Sequence, residues 1–258
     1  MDVTNRWWRL SLVVCLILVV GCAPTPDMEV VQQFQAAQQA FDNAETEDDF
    51  LRVASLYQAI LDGGCQSGTV LYNQGNAFMR AGQRGRAIAS YRQAQRYRPR
   101  DPFLDHNLNY ALGAPARNAR RSTIDYFLFW QDWLSYAAKF QLLAIAALVT
   151  FAIGIAAIVF RGRFRLAYVG WVGLALTILL ASSAAYDWYR FDVLEHGVVV
   201  ASEVVARKGN GESYAPAFTQ PLSEGTEFLV NEHRGDWVLI QLAENQEGWV
   251  RREDVVVY

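Results

Sequence analysis

Two apolar stretches, residues 142–160 and 166–186, are separated only by Arg161-Gly162-Arg163-Phe164-Arg165. Each is about 20 residues, enough to cross a hydrocarbon core of roughly 30 Å at about 1.5 Å per residue. So short a connection makes the two spans antiparallel. Three arginines within it place the turn on the cytoplasmic side, because Lys and Arg in short loops resist export. The flanks, residues 23–140 and 187–258, then share the extracytoplasmic face. Aromatic residues agree with that placement: Trp130, Trp133, Tyr136 and Phe140 lead into the first span, and Tyr186, Trp188, Tyr189 and Phe191 follow the second. Neither stretch contains a charge, which favours a bilayer over the buried hairpin of a soluble helical core.

Residues 1–22 place Arg6 and Arg9 before the apolar run 10–20 and then Val19-Val20-Gly21-Cys22. This order of charged, apolar and small residues is that of a secretory signal. A small residue before Cys also resembles a bacterial lipoprotein signal, which makes Cys22 the lipidated first residue; a plain signal peptide or an uncleaved anchor are the alternatives. Cys15 and Cys22 lie in this leader, leaving only Cys65 in the rest of the chain. No intramolecular disulfide framework, metal site or cofactor is expected. Cys65 reads as a small core or turn residue, with a redox role as the alternative.

Charge is uneven along the chain. Residues 27–62 hold eight acids against Arg52, residues 80–121 hold ten arginines against Asp101 and Asp105, and residues 187–258 hold thirteen acids against six bases. Such asymmetry predicts docking between modules or onto a partner. One hypothesis from charge alone puts the acidic C-terminal module on the arginines of residues 80–100. A nucleic-acid role needs the basic patch in the cytoplasm, against the topology.

Residues 30–113 read as helices with short turns, followed by a linker and interfacial segment, 114–141. The clearest unit runs Leu71-Tyr72-Asn73-Gln74-Gly75-Asn76-Ala77-Phe78, then Gly82, Ala87, Tyr91, Ala94 and Pro99. These spacings resemble the tetratricopeptide repeat (TPR), with Gln74 in place of the usual Leu. Gly75 and Ala87 are the expected close-contact pair, with Phe78 and Tyr91 as fillers. An upstream unit, Phe34, Ala37, Phe41, Val53, Tyr57 and Ile60, fits only if the inter-helix turn within residues 43–49 is enlarged by about three residues. Leu104, Leu108 and Leu112 mark a capping helix. The resemblance implies a groove lined by Tyr72, Asn76, Met79 and Arg80, helped by His106 and Asn107, that holds an acidic peptide group; an ordinary solvated helix face is the alternative.

From Gly197 onward the pattern turns to β-branched runs, 198–206, 227–232, 237–242, 248–250 and 255–257, with Gly-containing turns between them. Leu222-Ser223-Glu224-Gly225-Thr226, Gly235-Asp236-Trp237-Val238 and Glu247-Gly248-Trp249-Val250 resemble the bacterial SH3-like domain, here residues 195–258. Trp237 and Trp249 are expected in its small core; the alternative is an aromatic surface with Tyr214 that binds cell-wall peptides. The surplus of negative charge disfavours an anionic wall polymer.

His106, His196 and His233 are scattered among modules, and no HExxH, GxSxG or Walker-type loop occurs, so nothing indicates an enzyme. Gly173, Thr177, Ala181 and Ala185 form a small-residue stripe, expected to pack on the first span or on a partner's helix. The fold class is therefore a multi-domain membrane protein: an α-helical TPR solenoid, a two-helix transmembrane hairpin and a small all-β SH3-like barrel. That order resembles the BatE-type proteins of the aerotolerance operons across essentially the whole chain. The resemblance implies a non-enzymatic inner-membrane scaffold beside von Willebrand A-domain membrane proteins and a MoxR-type AAA+ ATPase. A peptidoglycan-binding envelope sensor is the runner-up.

Overall fold

The computed structural model describes residues 27–113, 130–160, 164–242 and 246–258. Cys22 and its leader, most of the linker (residues 114–129) and Arg161, Gly162 and Arg163 of the turn lie outside the described residues. Five helices come first: α1 (Met28–Asp42), α2 (Glu47–Asp62), α3 (Gly68–Arg80), α4 (Arg84–Gln95) and α5 (Pro102–Leu112). Local chemistry sets their ends. Thr46 and Asp49 form a reciprocal capping box at α2. Asp101 accepts from the N–H groups of Phe103 and Leu104 at α5, where Pro102 takes the first turn, and Gly113 ends the helix at φ 64°. Each helix packs on the next as an antiparallel hairpin, as connections of a few residues require.

The α1–α2 turn, residues 43–46, is four residues against three at 81–83. The expected enlarged turn is thus not formed; the extra residues instead lengthen α1 and α2 to 15 and 16 residues, against 13 and 12 for α3 and α4. Tyr57, Ile60, Ile88 and Tyr91 are fully buried along this array, each large apolar side chain contributing about 2–3 kcal/mol. Gly75 packs on the Tyr91 ring rather than on Ala87: a Cβ there would lie 2.4 Å from Cε1. The residue that departs from the repeat pattern, Gln74, is buried and satisfied. Its Nε2 donates to Gln58 Oε1 at 2.8 Å and its Oε1 accepts from Ser90 Oγ at 3.1 Å, joining α2, α3 and α4.

Helices α6 (Tyr136–Val159) and α7 (Phe164–Trp188) are long and apolar enough to cross a membrane. They pack along their length, with Gly173 against Thr150 and Thr150 Oγ1 3.2 Å from Thr177 Oγ1. Phe151, Ile158, Trp171 and Ile178 face outward. The small-residue stripe follows the contact only in part: Ala181 is half-buried, but Ala184 rather than Ala185 is buried. With 3.6 residues per turn, a strict four-residue spacing drifts off the contact line within three turns.

A single π-helical turn, Tyr189–Val193, leads into an antiparallel sheet. Its strands are β1 (His196–Val199), β4 (Glu227–Arg234), β5 (Trp237–Gln241), β6 (Glu247–Arg251) and β7 (Val255–Val257), in the order β6-β5-β4-β1-β7. The run 198–206 does not form one strand. It breaks after Val199, and β2 (Glu203–Val204) pairs with β3 (Leu222–Ser223) in a separate ladder, because Val200 N–H turns to the Asp254 carbonyl. Gly235 adopts φ 59° in the two-residue turn that joins β4 to β5. Val199, Val204, Leu222, Phe228, Val238, Ile240 and Val250 form the apolar cluster of this module.

Candidate functional site

The expected groove residues fall into two groups. Asn107 Nδ2 donates to Asn76 Oδ1 at 2.9 Å and to Tyr72 OH at 3.1 Å, and Tyr91 OH donates to the same Asn76 oxygen at 2.8 Å. The Asn76 carbonyl oxygen is therefore committed inside the protein, tying α3 to α4 and α5. On the other flank Asn73 Nδ2 reaches Gln38 Oε1 of α1 at 3.3 Å, so α1, α3 and α5 border one side of the array. Met79 is half-buried against the core cluster that includes Leu104 and Leu108. Arg80 and His106 are exposed, Arg80 with its guanidinium 4.9 Å above the Phe50 ring. Tyr72, Asn76 and Asn107 are thus bonded to one another, while Arg80 and His106 stay exposed.

On the opposite side, α4 carries contacts to both other modules. Its N-terminus has no cap of its own, since Gln83 makes no side-chain capping bond. Glu224, at the sheet end of a 139-residue sequence separation, accepts from Gly85 N–H at 2.7 Å and supplies that cap. The approach is close: a Cβ on Gly85 would lie 2.4 Å from the Val199 carbonyl oxygen. One turn on, Ile88 meets Gly225, which sits at φ 86°, and Val198 of β1 joins the Ile88–Tyr91 core cluster. A second turn on, Arg92 grips Glu227 with two bonds, Nε–Oε1 at 2.6 Å and Nη2–Oε2 at 2.9 Å. Arg96 finally turns to the apolar hairpin. It pairs with Asp192 at 2.8 Å and lies 3.9 Å over the Tyr136 ring, while its carbonyl accepts from Tyr136 N–H at 3.1 Å. Gly85, Ile88, Arg92 and Arg96 repeat at three- and four-residue intervals, one face of one helix. The docking hypothesized from charge alone is present, carried by Arg92 and by backbone N–H more than by the number of arginines.

Trp237 and Trp249 do not enter the apolar cluster. They alternate with Val238, Ile240 and Val250 along β5 and β6 and so lie on the other face of the sheet. Trp249 is buried there below Arg234, 5.2 Å away, and Trp237 is half-buried with Arg251 at 5.9 Å. Trp249 is buried as expected, whereas Trp237, also expected in the core, is only half-buried. Tyr214 is half-exposed, and its carbonyl accepts from Arg207 Nη1 at 2.9 Å, while Arg207 pairs through its backbone with Trp249. Glu212 pairs with Arg251. The three aromatics therefore belong to one sheet face and its adjoining loop.

Sequence reasoning missed the polar cluster at the open end of the hairpin. Lys139 and Asp187 lie just outside the two apolar stretches, yet both are buried, with Nζ–Oδ2 at 2.5 Å. Gln131 Nε2 donates to the other Asp187 oxygen at 2.6 Å and to the Ser183 carbonyl at 2.8 Å, and Ser183 Oγ donates to Gln131 Oε1 at 2.7 Å. The discoverable signal was an acid and a base at equivalent heights of an antiparallel pair. Among the described residues no group of three His, Cys, Asp or Glu side chains is placed to hold a metal. Compared with protein-family models, curated proteins and solved structures, the chain matches none of them.

Proposed function

We propose that this chain is a non-enzymatic inner-membrane scaffold. In this reading its helical array is a tetratricopeptide module, its sheet an SH3-like module, and α6 and α7 hold both at the extracytoplasmic face of a bacterial cytoplasmic membrane. The observation that carries the reading is α4: one helix face binds the sheet through Gly85 and Arg92 and the hairpin through Arg96. That arrangement leaves the α1–α3–α5 side, with Arg80 and His106 exposed, turned to a partner. Two outward sites on one frame raise each other's effective concentration, which is what an adaptor uses. The partners implied by resemblance to BatE-type proteins are von Willebrand A-domain membrane proteins served by a MoxR-type AAA+ ATPase, in an aerotolerance or envelope-stress setting.

Affinity purification of the tagged full chain from its native membrane, beside an Arg80→Ala/His106→Ala variant, tests it. Recovery of von Willebrand A-domain proteins that the variant loses is the expected result; recovery unchanged in the variant, or of wall-synthesis proteins instead, sinks the groove reading. Asn76 is left intact because it holds the array together. The exposed Tyr214, whose carbonyl is held by Arg207, the strand partner of Trp249, favours one second reading, a peptidoglycan-binding sensor. Retention of the solubilised chain on purified wall sacculi, lost on Tyr214→Ala, is what that reading requires.

A further inference from the structure

Between the helical array and the sheet lies an open cavity of about 930 Å³, within the size range of small-ligand sites, roughly 300–1,000 Å³. One wall is Arg190 and Phe191, two and three residues past the end of α7. The charged groups on its lining are Arg92, Arg96, Arg190, Glu227 and Asp62, with His196 among them. Glu227 is spent on Arg92, and the Asp62 carboxylate accepts from Gln58 at 2.8 Å. Two guanidinium groups are left with capacity. Arg96 uses Nη2 on Asp192, but its Nε is buried with no acceptor among the described residues. Arg190 makes no ion pair among the described residues and lies 5.2 Å from the Phe191 ring centroid. Burial, followed by the charges of Arg190 and Arg92, holds the His196 imidazole below its ordinary pKa. A buried N–H without an acceptor, lining the same cavity as an exposed arginine that no carboxylate neutralises, suits an oxyanion.

We infer that this cavity holds the phosphate of an anionic phospholipid headgroup, with Arg190 and Arg96 Nε as its donors. A lipid fits better than a soluble anion because Arg190 sits at the end of a membrane-length helix, at headgroup height. The inference rests on α6 and α7 crossing a bilayer, and that premise is read separately, as partition of the chain into vesicles. The headgroup would fasten the junction of array, sheet and hairpin to the membrane surface.

The full chain in neutral detergent is titrated with phosphatidylglycerol, phosphatidylcholine or soluble glycerol phosphate, and bound molecules are counted by native mass spectrometry. One phosphatidylglycerol is expected to bind about tenfold tighter than phosphatidylcholine, and Arg190→Gln to lose about tenfold of that affinity, with Arg190→Lys recovering part. Arg190 is exposed and makes no ion pair among the described residues, so the variant leaves the fold intact. In the native chain bound phosphatidylglycerol also raises the His196 pKa, followed by NMR. Equal retention of the two lipids overturns the inference. So does phosphatidylglycerol binding unchanged by Arg190→Gln, which marks lipid around the helices only, and so does glycerol phosphate binding as tightly as the lipid.

Discussion

The α3–α4 hairpin and the membrane-length α6–α7 hairpin use one packing device on opposite patterns of side chains. In each, a glycine lets a side chain of the partner helix approach the backbone: Gly75 under the Tyr91 ring, Gly173 under Thr150. What lies between the helices is reversed. The first hairpin encloses Leu71, Ala77, Ala87 and Ile88 and keeps its arginines outside, whereas the second turns Phe151, Ile158 and Trp171 outward and encloses Lys139, Ser183 and Asp187. In water, burial of apolar area holds two helices together. For helices that span a bilayer, as the proposed function has α6 and α7 do, that drive is absent, and close contact plus hydrogen bonds replaces it. Gln74 shows the exception that fits the rule, a polar group in the α3–α4 hairpin accepted because each of its bonds is made.

The comparison breaks most sharply at Asp187. Replacing it by alanine leaves Lys139 buried without a counter-charge and Gln131 short of an acceptor; the expected loss is about 3–5 kcal/mol in detergent unfolding. Lys139→Met/Asp187→Leu should recover most of it, and a double variant as weak as the single would show that the charges do more than match each other. Next comes Gly75→Ala, at about 2–3 kcal/mol of thermal stability, since the aromatic ring has little room to move. Gly173→Ala should cost less, about 1–2 kcal/mol, and be relieved by Thr150→Ala. If both glycine variants respond alike, the two hairpins do not differ in the way described.

Docking on α4 is the next smaller effect. Gly85→Ala forces a Cβ onto backbone and removes the close approach that Glu224 needs; the sheet should leave α4, at about 1–2 kcal/mol for the lost cap and contact. Cysteine crosslinking between positions 88 and 225 reads this out, vanishing in the variant while circular dichroism of both modules persists. The smallest effect is at the capping box. The Thr46 hydroxyl, with the N–H groups of Thr46 and Glu45, holds the Asp49 carboxyl down at about 2. Its folded pKa lies below the unfolded value of about 3.9, so this stabilisation is complete above about pH 4 and is lost as pH falls from about 4 to about 2. Hydrogen exchange at the start of α2 should rise across that window, and Asp49→Asn should abolish the transition.

Much of the architecture was legible because it depends on local pattern. The 3.6-residue spacing around Tyr91 and Leu104, the Pro102 and Gly113 helix boundaries, and the apolar stretches over 142–186 each follow from neighbours in sequence. The break of 198–206 into two strands was not legible, because Asp254 and Thr226 decide it from elsewhere in the chain. Trp237 was misplaced for a related reason: composition states that an indole is apolar, while alternation against Val238 and Ile240 decides which face it takes. For the groove, helical spacing put Tyr72, Asn76 and Arg80 on one face, but only Asn107 and Tyr91 reveal that Asn76 is already occupied.

By itself, then, the sequence determined what each segment is: five amphipathic helices, two membrane-length helices and a run of short strands, all set by periodicity, capping residues and apolar length. Only the tertiary structure decided that α4 serves three modules, that Glu224 caps a helix 139 residues away and that Lys139 and Asp187 meet. Those contacts join residues far apart in the chain, and their energies depend on distance and exclusion of water, which no local pattern records.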